Sequence, residues 1–311
     1  MRAVPAPRPF RFALQALPRA DRAAWQDVAR QAEDLGYATL QTADHLGLAD
    51  PLLPLVSAAD VTTSLRFAPL VLNNELHNPV LLARQAATVD LLTDGRLELG
   101  IGTGYAETEH QAAGIPLSPP KERVDRLAAA LTVLPRLFAG DAVELDGPYR
   151  LAVAAEALGL RCVQQPHPPI LVGGYGRRVI GLAARAAQIV QFTGLAHDPD
   201  GTPRPRGFAR ATLDERVGWL RESAGARLAE LELSVLVQRV HEGDPAIEVS
   251  AVAARLGMEV DVVRASPFLL FGTVDAMVAQ LEEQRATLGI SYVTVREAEL
   301  FAPVVARLAG T

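Results

Sequence analysis

Short apolar runs alternate with helix-like segments along this 311-residue chain. The runs are continuously apolar instead of alternating with polar residues, which is typical of strands buried on both faces of a parallel sheet. The predicted strands are residues 10–17, 37–41, 65–72, 96–101, 170–172, 189–192, 233–240 and 290–295. The predicted helices are residues 21–35, 79–92, 120–138 and 274–288, with one more that begins near residue 177. This order and this length predict an α/β fold, a (β/α)8 TIM barrel.

No repeat, low-complexity tract or long linker divides the chain, so one domain covering residues 1–311 is predicted. Residues 141–168 and 241–267 depart from the strand–helix alternation and are interpreted as insertions in the loops that follow strands. Residues 196–210 hold three prolines and two glycines, a composition that predicts a loop.

The composition favours a folded protein of the cytoplasm. Hydrophobic residues make up 49% of the chain and charged residues 21%, which excludes a disordered polymer. The single cysteine, Cys162, cannot pair within the chain, which fits a reducing compartment. Apolar runs are broken before membrane-spanning length, and prolines interrupt residues 1–12 where a signal peptide would be apolar. With a net charge of −6 the chain shows no basic footprint, so we expect neither nucleic acid nor a membrane as partner.

Polar or glycine-rich clusters follow four of the predicted strands. They are Asp44-His45, Asn73-Asn74, residues 102–104 and residues 173–176. In a parallel barrel the carboxyl ends of all strands meet at one mouth, where barrel enzymes have their active sites. The sequence therefore predicts a site at that mouth.

Two of these clusters suit several functions. His45 is placed to act as a general acid or base, although the dipeptide alone favours a structural role, in which Asp44 caps a helix and His45 binds a backbone carbonyl. The glycines of residues 102–104 let a flat or anionic ligand approach the backbone. A similar string opens the cofactor site of many methyltransferases that use S-adenosylmethionine, but there it normally follows the first strand, and here three predicted strands precede it. A tight turn without a ligand is the third interpretation.

The fourth cluster has the physical features of a phosphate cradle. Glycines after a strand, followed by Arg177 and Arg178 at a helix start, offer backbone N–H groups, a helix dipole and cations. A glycine turn beside two solvated arginines is an equal alternative. No other motif competes: the remaining histidines lack paired metal-ligand spacing, Cys162 has no nearby base, and neither a G-x-S-x-G elbow nor a P-loop occurs.

The order of these motifs resembles that of the luciferase-like monooxygenase superfamily, most closely the branch that uses the deazaflavin coenzyme F420. The resemblance covers nearly the whole chain, and its most specific part is residues 73–96, which run into the string Leu-Glu-Leu-Gly-Ile-Gly-Thr-Gly. Further matching segments follow in family order at residues 114–116, 121–127, 170–174 and 289–293.

The resemblance implies a barrel with insertions in its βα loops and a flavin or deazaflavin ring in its mouth. His45 and Tyr105 would exchange the proton that accompanies hydride transfer, and many relatives carry a cis non-prolyl bond that we place at Leu70-Val71. No metal is implied. The residues that would contact the cofactor are Asp44, Val71, Leu72, Asn73, Thr103, Gly104, Tyr105, Gly173, Gly174, Tyr175, Gly176 and Arg177.

The implied activity is that of an F420-dependent oxidoreductase, which transfers a hydride between C5 of the deazaflavin and a small organic substrate. Reduction of the substrate is favoured over oxygen activation, because F420 reacts poorly with oxygen. The alternatives are an FMN-dependent monooxygenase and a non-catalytic protein that binds a flavin or deazaflavin. A homodimer is expected from the resemblance.

Two departures from the family pattern affect the substrate. F420-dependent sugar-phosphate dehydrogenases carry a glutamate after the Gly-Thr-Gly string, where this chain has Tyr105, so oxidation of sugar phosphates is disfavoured. The usual Phe-Arg pair is Leu76-His77 here.

Overall fold

A computed structural model describes residues 8–18, 21–197 and 202–311. Its strands are β1 (Arg11–Gln15), β2 (Thr39–Thr42), β3 (Arg66–Pro69), β4 (Leu72–Asn73), β5 (Leu99–Gly102), β6 (Val143–Asp146), β7 (Arg150–Val153), β8 (Ile170–Gly173), β9 (Ile189–Thr193), β10 (Ala196–His197), β11 (Pro203–Arg204), β12 (Glu232–Leu236), β13 (Arg239–His241), β14 (Leu269–Phe271) and β15 (Ile290–Val295). Its α-helices are α1 (Arg22–Asp34), α2 (Leu53–Ala59), α3 (Pro79–Leu92), α4 (Glu107–Ala113), α5 (Pro120–Ala139), α6 (Arg177–Ala186), α7 (Arg210–Ala224), α8 (Pro245–Leu256), α9 (Val260–Arg264), α10 (Val274–Leu288) and α11 (Ala298–Leu308). Short 3-10 turns occupy Asn74–Leu76, Pro205–Phe208 and Gly225–Glu230.

Nine strand segments form a parallel sheet in the order β3-β2-β1-β15-β12-β9-β8-β5-β4. The sheet closes on itself because β4 pairs with β5 and because Phe67 in β3 bridges to Leu97 just before β5. Strands β3 and β4 are thus two halves of one barrel strand, and the barrel has eight strands. The predicted (β/α)8 barrel is confirmed.

The third barrel strand is interrupted where the resemblance places a cis bond. The peptide between Leu70 and Val71 is cis, and these two residues separate β3 from β4. The strand predicted over residues 65–72 is therefore shorter than expected and is followed by a second segment. Helix α3 and strand β15 have the predicted bounds.

The strand predicted over residues 233–240 is wrong in its second half. Strand β12 ends at Leu236, and residues 239–241 form β13, which leaves the barrel and pairs with β14. A continuous apolar run cannot show this change of partner. The predicted insertions contain the β6–β7 hairpin in residues 141–168 and helices α8 and α9 in residues 241–267. In the predicted loop of residues 196–210, β10 pairs with β11, and residues 198–201 lie outside the described part.

Two layers of apolar side chains hold the barrel together. One layer lies inside it and includes Ala13, Leu70, Leu171, Ile189 and Tyr292, with Val71 packed against them. The other lies between the strands and the surrounding helices. Every residue of β2 and β5 is buried, as expected for strands covered on both faces. Among the described helices, none is long and apolar enough to span a membrane.

A buried ionic cluster closes the end of the barrel opposite the mouth. The Glu98 carboxylate is 1% exposed and accepts hydrogen bonds from Arg11 Nη1 at 2.6 Å and Arg66 Nε at 2.8 Å. Arg11 also pairs with Glu232 at 2.6 Å, and Tyr292 donates its hydroxyl to Glu98 at 3.3 Å. Burial acts to raise the pKa of Glu98, but the two guanidinium groups outweigh it and lower that pKa overall.

Candidate active site

Parallel strands carry the predicted site residues to one end of the barrel. Asp44 and His45 follow β2, Asn73 ends β4, residues 103–105 follow β5, and Gly173 ends β8. Leu72 is an exception among the side chains, because it is 0% exposed and belongs to the layer under the helices. Only its backbone can meet a ligand at the mouth.

Val71 and the glycines around it form a floor at the mouth. A Cβ on Gly102 would lie 2.8 Å from Val71 Cγ2, and one on Gly173 would lie 3.2 Å from Val71 Cγ1. A Cβ on Gly100 would lie 2.0 Å from the Pro69 carbonyl oxygen. The Val71 side chain therefore occupies the space beside Gly102 and Gly173, the Pro69 carbonyl occupies the space beside Gly100, and β5 and β8 each end at a residue without a side chain.

Asn73 is held from both ends of its amide. Its Nδ2 donates to His110 Nε2 at 2.9 Å, and its Oδ1 accepts the Glu75 N–H at 3.1 Å. His110 can accept at Nε2 because its Nδ1 proton is donated to the Ile115 carbonyl at 3.1 Å. Gly104 has φ +68°, and a Cβ there would lie 1.9 Å from Asn73 Oδ1. The glycine after Thr103 is thus required by the asparagine as well as by the turn.

His45 and Tyr105 are brought together at the mouth. Tyr105 Oη lies 3.4 Å from His45 Nε2, and the two rings meet edge to face with centroids 5.8 Å apart. His45 Nδ1 lies 2.8 Å from Glu109 Oε1. Burial, and then the charge of Glu109, raise the pKa of Tyr105, so its phenol stays protonated at neutral pH.

Asp44 joins two neighbouring loops. Its Oδ2 accepts the backbone N–H of Asn73 at 2.8 Å and lies 3.3 Å from His77 Nε2, which donates to it. His77 thus gives Asp44 a partner within the chain. This contact fixes the end of β2 against the segment that follows the cis bond.

The glycine loop after β8 leads into helix α6. Gly176 is the N-cap of that helix and supplies no side-chain hydrogen bond, and a Cβ on Gly176 would meet nothing within 4 Å. The first N–H groups of α6 therefore have no capping side chain. Arg177 pairs with Glu222 at 2.8 Å and Arg178 with Asp125 at 2.7 Å, both at exposed positions. Both guanidinium groups thus have carboxylate partners, and the backbone N–H groups at the start of α6 are the part of this loop without a side-chain partner from Gly176.

A buried arginine supports the glycine loop, and sequence analysis did not identify it. Arg216 is 0% exposed and donates to the carbonyl oxygens of Thr193 at 2.7 Å and Gly207 at 3.2 Å. Its guanidinium lies 4.5 Å from the ring centre of Tyr175. Burial lowers the pKa of Arg216 to about 10. In the sequence this residue is one of several arginines in an amphipathic helix, so nothing marks it.

A second arginine that sequence analysis did not identify lies at the mouth itself. Arg296 follows β15, and its guanidinium donates to Gln15 Oε1 at 2.8 Å and Gln238 Oε1 at 3.2 Å. Gln15 in turn donates to the carbonyl of Leu70 at 3.4 Å, which links Arg296 to the cis bond. Within the described residues, no carboxylate oxygen lies within 4.0 Å of the Arg296 guanidinium, although Glu297 opposes the lowering of its pKa by burial. Among the described residues, no group of three or more histidine, cysteine, aspartate or glutamate side chains is placed to hold a metal ion.

Solved structures share this barrel over nearly its whole length. One is the coenzyme F420-dependent tetrahydromethanopterin reductase from Methanopyrus kandleri, with TM-score 0.74, 18% identity and coverage of 96% of this chain and 99% of that one. An F420-dependent secondary alcohol dehydrogenase in complex with an F420–acetone adduct has TM-score 0.74, 16% identity and coverage of 96% and 99%. The oxygenating constituent of a diketocamphane monooxygenase from Pseudomonas putida, in complex with FMN, has TM-score 0.69, 16% identity and coverage of 96% and 98%.

The family assignment follows from the sequence as well as from the fold. The model of the luciferase-like monooxygenases matches residues 9–216, which is more than half of the chain. The matched region contains the cis bond, the glycine floor and the His45–Tyr105 pair described above. The chain therefore belongs to the luciferase-like monooxygenase family and is an enzyme of the oxidoreductase class.

Proposed function

We propose that this protein is an F420-dependent oxidoreductase that transfers a hydride between C5 of the deazaflavin and a small organic substrate, acting as a reductase. The observation that carries the proposal is the His45–Tyr105 pair beside the Val71 floor. Reduction of an activated C=C, C=N or C=O bond requires one proton for each hydride. A phenol that stays protonated next to an imidazole can deliver that proton.

The residues at the mouth fit a flavin or deazaflavin. The floor of Val71, Gly102 and Gly173 offers a flat apolar surface for a tricyclic ring, and the start of α6 at Gly176 offers N–H groups for a phosphate. When bound, the cofactor supplies the hydride, and the chain supplies position, orientation and the proton. Tyr105 Oη is the atom that we expect to face the substrate.

Arg296 indicates the class of substrate. Its guanidinium is oriented by two neutral amide oxygens, so its positive charge is not neutralised by direct contact with a carboxylate among the described residues. Arginine held in this way binds carboxylate and phosphate groups with directed hydrogen bonds. We therefore expect a substrate that carries an anionic group, and organic acids with an activated double bond are the first compounds to screen.

An FMN-dependent monooxygenase is the alternative enzyme. The glycine floor and the N-terminus of α6 would suit the ring and phosphate of FMN equally well, and the fold neighbours include a monooxygenase in complex with FMN. A non-catalytic protein that binds the same ligand is the third possibility. The His45–Tyr105 pair favours the enzyme over the binding protein, because binding alone does not require a proton donor.

The decisive experiment is a fluorescence titration of the purified chain with F420 and, separately, with FMN. Tight binding of F420 with weak binding of FMN supports the proposal, the reverse supports the monooxygenase, and binding of neither contradicts both. Gly102→Ala places a methyl group 2.8 Å from Val71 Cγ2, so the binding of either ring should weaken by about tenfold or more. Gly218→Ala is the matched control, because a Cβ there meets nothing within 4 Å and Gly218 lies in α7.

A further inference from the structure

Glu109 contacts the His45 side chain and the adjacent backbone together. Its Oε1 lies 2.8 Å from His45 Nδ1, and its Oε2 accepts the Leu46 N–H at 3.3 Å. The Glu109 side chain is 19% exposed, while the imidazole is 37% exposed. The carboxylate is thus bound through both oxygens to the segment that follows β2, and it contacts the imidazole at Nδ1.

This contact determines which ring nitrogen carries the proton. An ionised carboxylate only accepts hydrogen bonds, so the proton between Glu109 and His45 belongs to Nδ1. In the neutral ring, Nε2 then carries the lone pair, and that nitrogen is the one 3.4 Å from Tyr105 Oη.

We propose that Glu109 is a positioning residue that fixes the Nδ1–H tautomer of His45 and thereby makes His45 and Tyr105 one proton relay. The relay part of the inference rests on the proposed function, because the relay delivers the proton that the substrate takes up. Nothing in the glycine motifs points to Glu109. It lies in α4, four residues beyond Tyr105, which precedes that helix.

The relay balances its protons in each turnover. Tyr105 Oη gives its proton to the substrate, and Nε2 of the protonated His45 passes a proton to Oη. The Oη–H bond of the phenol is thereby restored, the Nε2–H bond of the imidazolium is broken, and the ring becomes neutral. The ring regains a proton from solvent through its exposed edge. Glu109 stays ionised throughout and keeps Nδ1 protonated, as the buried carboxylate does in other carboxylate–histidine pairs.

The ionisable groups around His45 come from several elements. Glu109 approaches from α4, and Tyr105 approaches from the loop between β5 and α4. Asp44 precedes His45 in the chain and is itself bound to His77, which lies just before α3. Of these contacts, only the one with Glu109 reaches Nδ1, so removal of Glu109 should change the tautomer and removal of the others should not.

The tautomer can be measured on the purified chain without any cofactor. Long-range proton–nitrogen correlation spectra of ¹⁵N-histidine-labelled protein distinguish Nδ1–H from Nε2–H in neutral rings, and His45→Ala identifies the His45 signals. We expect Nδ1–H in the unsubstituted protein and in Glu109→Gln, which keeps an acceptor oxygen. In Glu109→Leu and Glu109→Ala we expect the Nε2–H form to appear. His110 serves as an internal reference, because the Ile115 carbonyl fixes its Nδ1–H.

Glu107→Leu is the matched control. Glu107 lies in the first turn of the same helix and makes its contact with Gln111, not with His45. Nε2–H as the main form in the unsubstituted protein overturns the inference, as does an unchanged tautomer in both Glu109→Leu and Glu109→Ala. An Nε2–H signal in Glu107→Leu also overturns it, because the change would then follow from loss of the helix.

The kinetic consequence is tested separately with the loaded enzyme. Glu109→Leu should lower turnover by about 100-fold while cofactor affinity changes little, since a histidine in the wrong tautomer is a poor relay. If the spectra show the expected tautomers and neither F420 nor FMN binds, the proposed function fails and the role of Glu109 in holding His45 stands. If a cofactor binds and the Glu109 variants show the same His45 tautomer as Glu107→Leu, the proposed role of Glu109 fails and the proposed function stands.

Discussion

Replacement of Glu98 by glutamine tests the ionic cluster at the closed end of the barrel. The carboxylate is 1% exposed and lies against two guanidinium groups, so its removal leaves Arg11 and Arg66 with less compensation for their charge. Loss of one partner of a buried pair costs about 3–5 kcal/mol. The lower end applies here, because Arg11 keeps Glu232, and Arg66 keeps Gln164 at 2.8 Å. We expect a loss of about 3 kcal/mol in the free energy of unfolding.

That loss of free energy corresponds to a decrease in melting temperature that calorimetry can measure. With an unfolding entropy of about 2.1 cal/mol/K per residue, 3 kcal/mol corresponds to a shift of about 5 °C for a chain of this size. Asp146→Asn is the matched control, because Asp146 pairs with Arg150 in the β6–β7 hairpin, where the two side chains are 88% and 91% exposed, and we expect it to cost under about 1 kcal/mol. Equal stability of Glu98→Gln and the unsubstituted protein would refute the reasoning, and so would an equal loss in both variants.

The contribution of Glu98 to stability should depend on pH in a defined direction. The pKa of Glu98 is lower in the folded protein than in the unfolded chain, so its contribution to stability is full above the ordinary glutamate pKa of about 4.3. The contribution disappears as pH falls through the lowered pKa. The difference in melting temperature between the unsubstituted protein and Glu98→Gln should therefore be constant from pH 7 to about pH 5 and should narrow below about pH 4.

Three further predictions concern the mouth and the single thiol. His45→Ala should lower turnover by about 10²–10⁴-fold and leave cofactor affinity within about threefold, as measured by steady-state kinetics and fluorescence titration; equal losses of both contradict its assigned role. Arg296→Gln should raise KM for an acidic substrate by about tenfold and leave KM for the matching amide unchanged. An equal effect on both KM values would contradict the proposed binding of an anionic group by Arg296. Burial, with a smaller effect of Asp90, raises the pKa of Cys162 to about 12, so thiol reagents at pH 8 should label it slowly in the native protein and quickly in urea; rapid native labelling would contradict that burial.

The fold was largely predictable because burial on both faces of the strands leaves a plain pattern. Strand β15 and helix α3 have the bounds that their apolar content predicts. Short helices such as α2 and α4 were not predicted, since seven residues give too little periodicity to detect. The departure of β13 from the barrel was not predictable either, because pairing partners are a tertiary property.

The candidate site was predictable where a motif marks it and not elsewhere. His45 was identified from its place after β2 and Tyr105 from the family resemblance, and the structure brings them to 3.4 Å. Glu109 and Arg216 were missed, because each acts through distant contacts that a single sequence does not show. The cofactor roles of the predicted residues remain predictions that the titration tests.

Helix α4 sets a condition for anyone who transplants loops between barrels of this kind. Its consecutive residues Glu109 and His110 reach the segment after β2 and the end of β4 respectively, while Gly104 makes room for Asn73. Insertion of one residue before Glu109 would turn the helix by about 100° and separate both contacts at once. Residues 103–115 therefore form a cassette that must be exchanged whole, because a shorter exchange would preserve the backbone path and lose the orientation of His45.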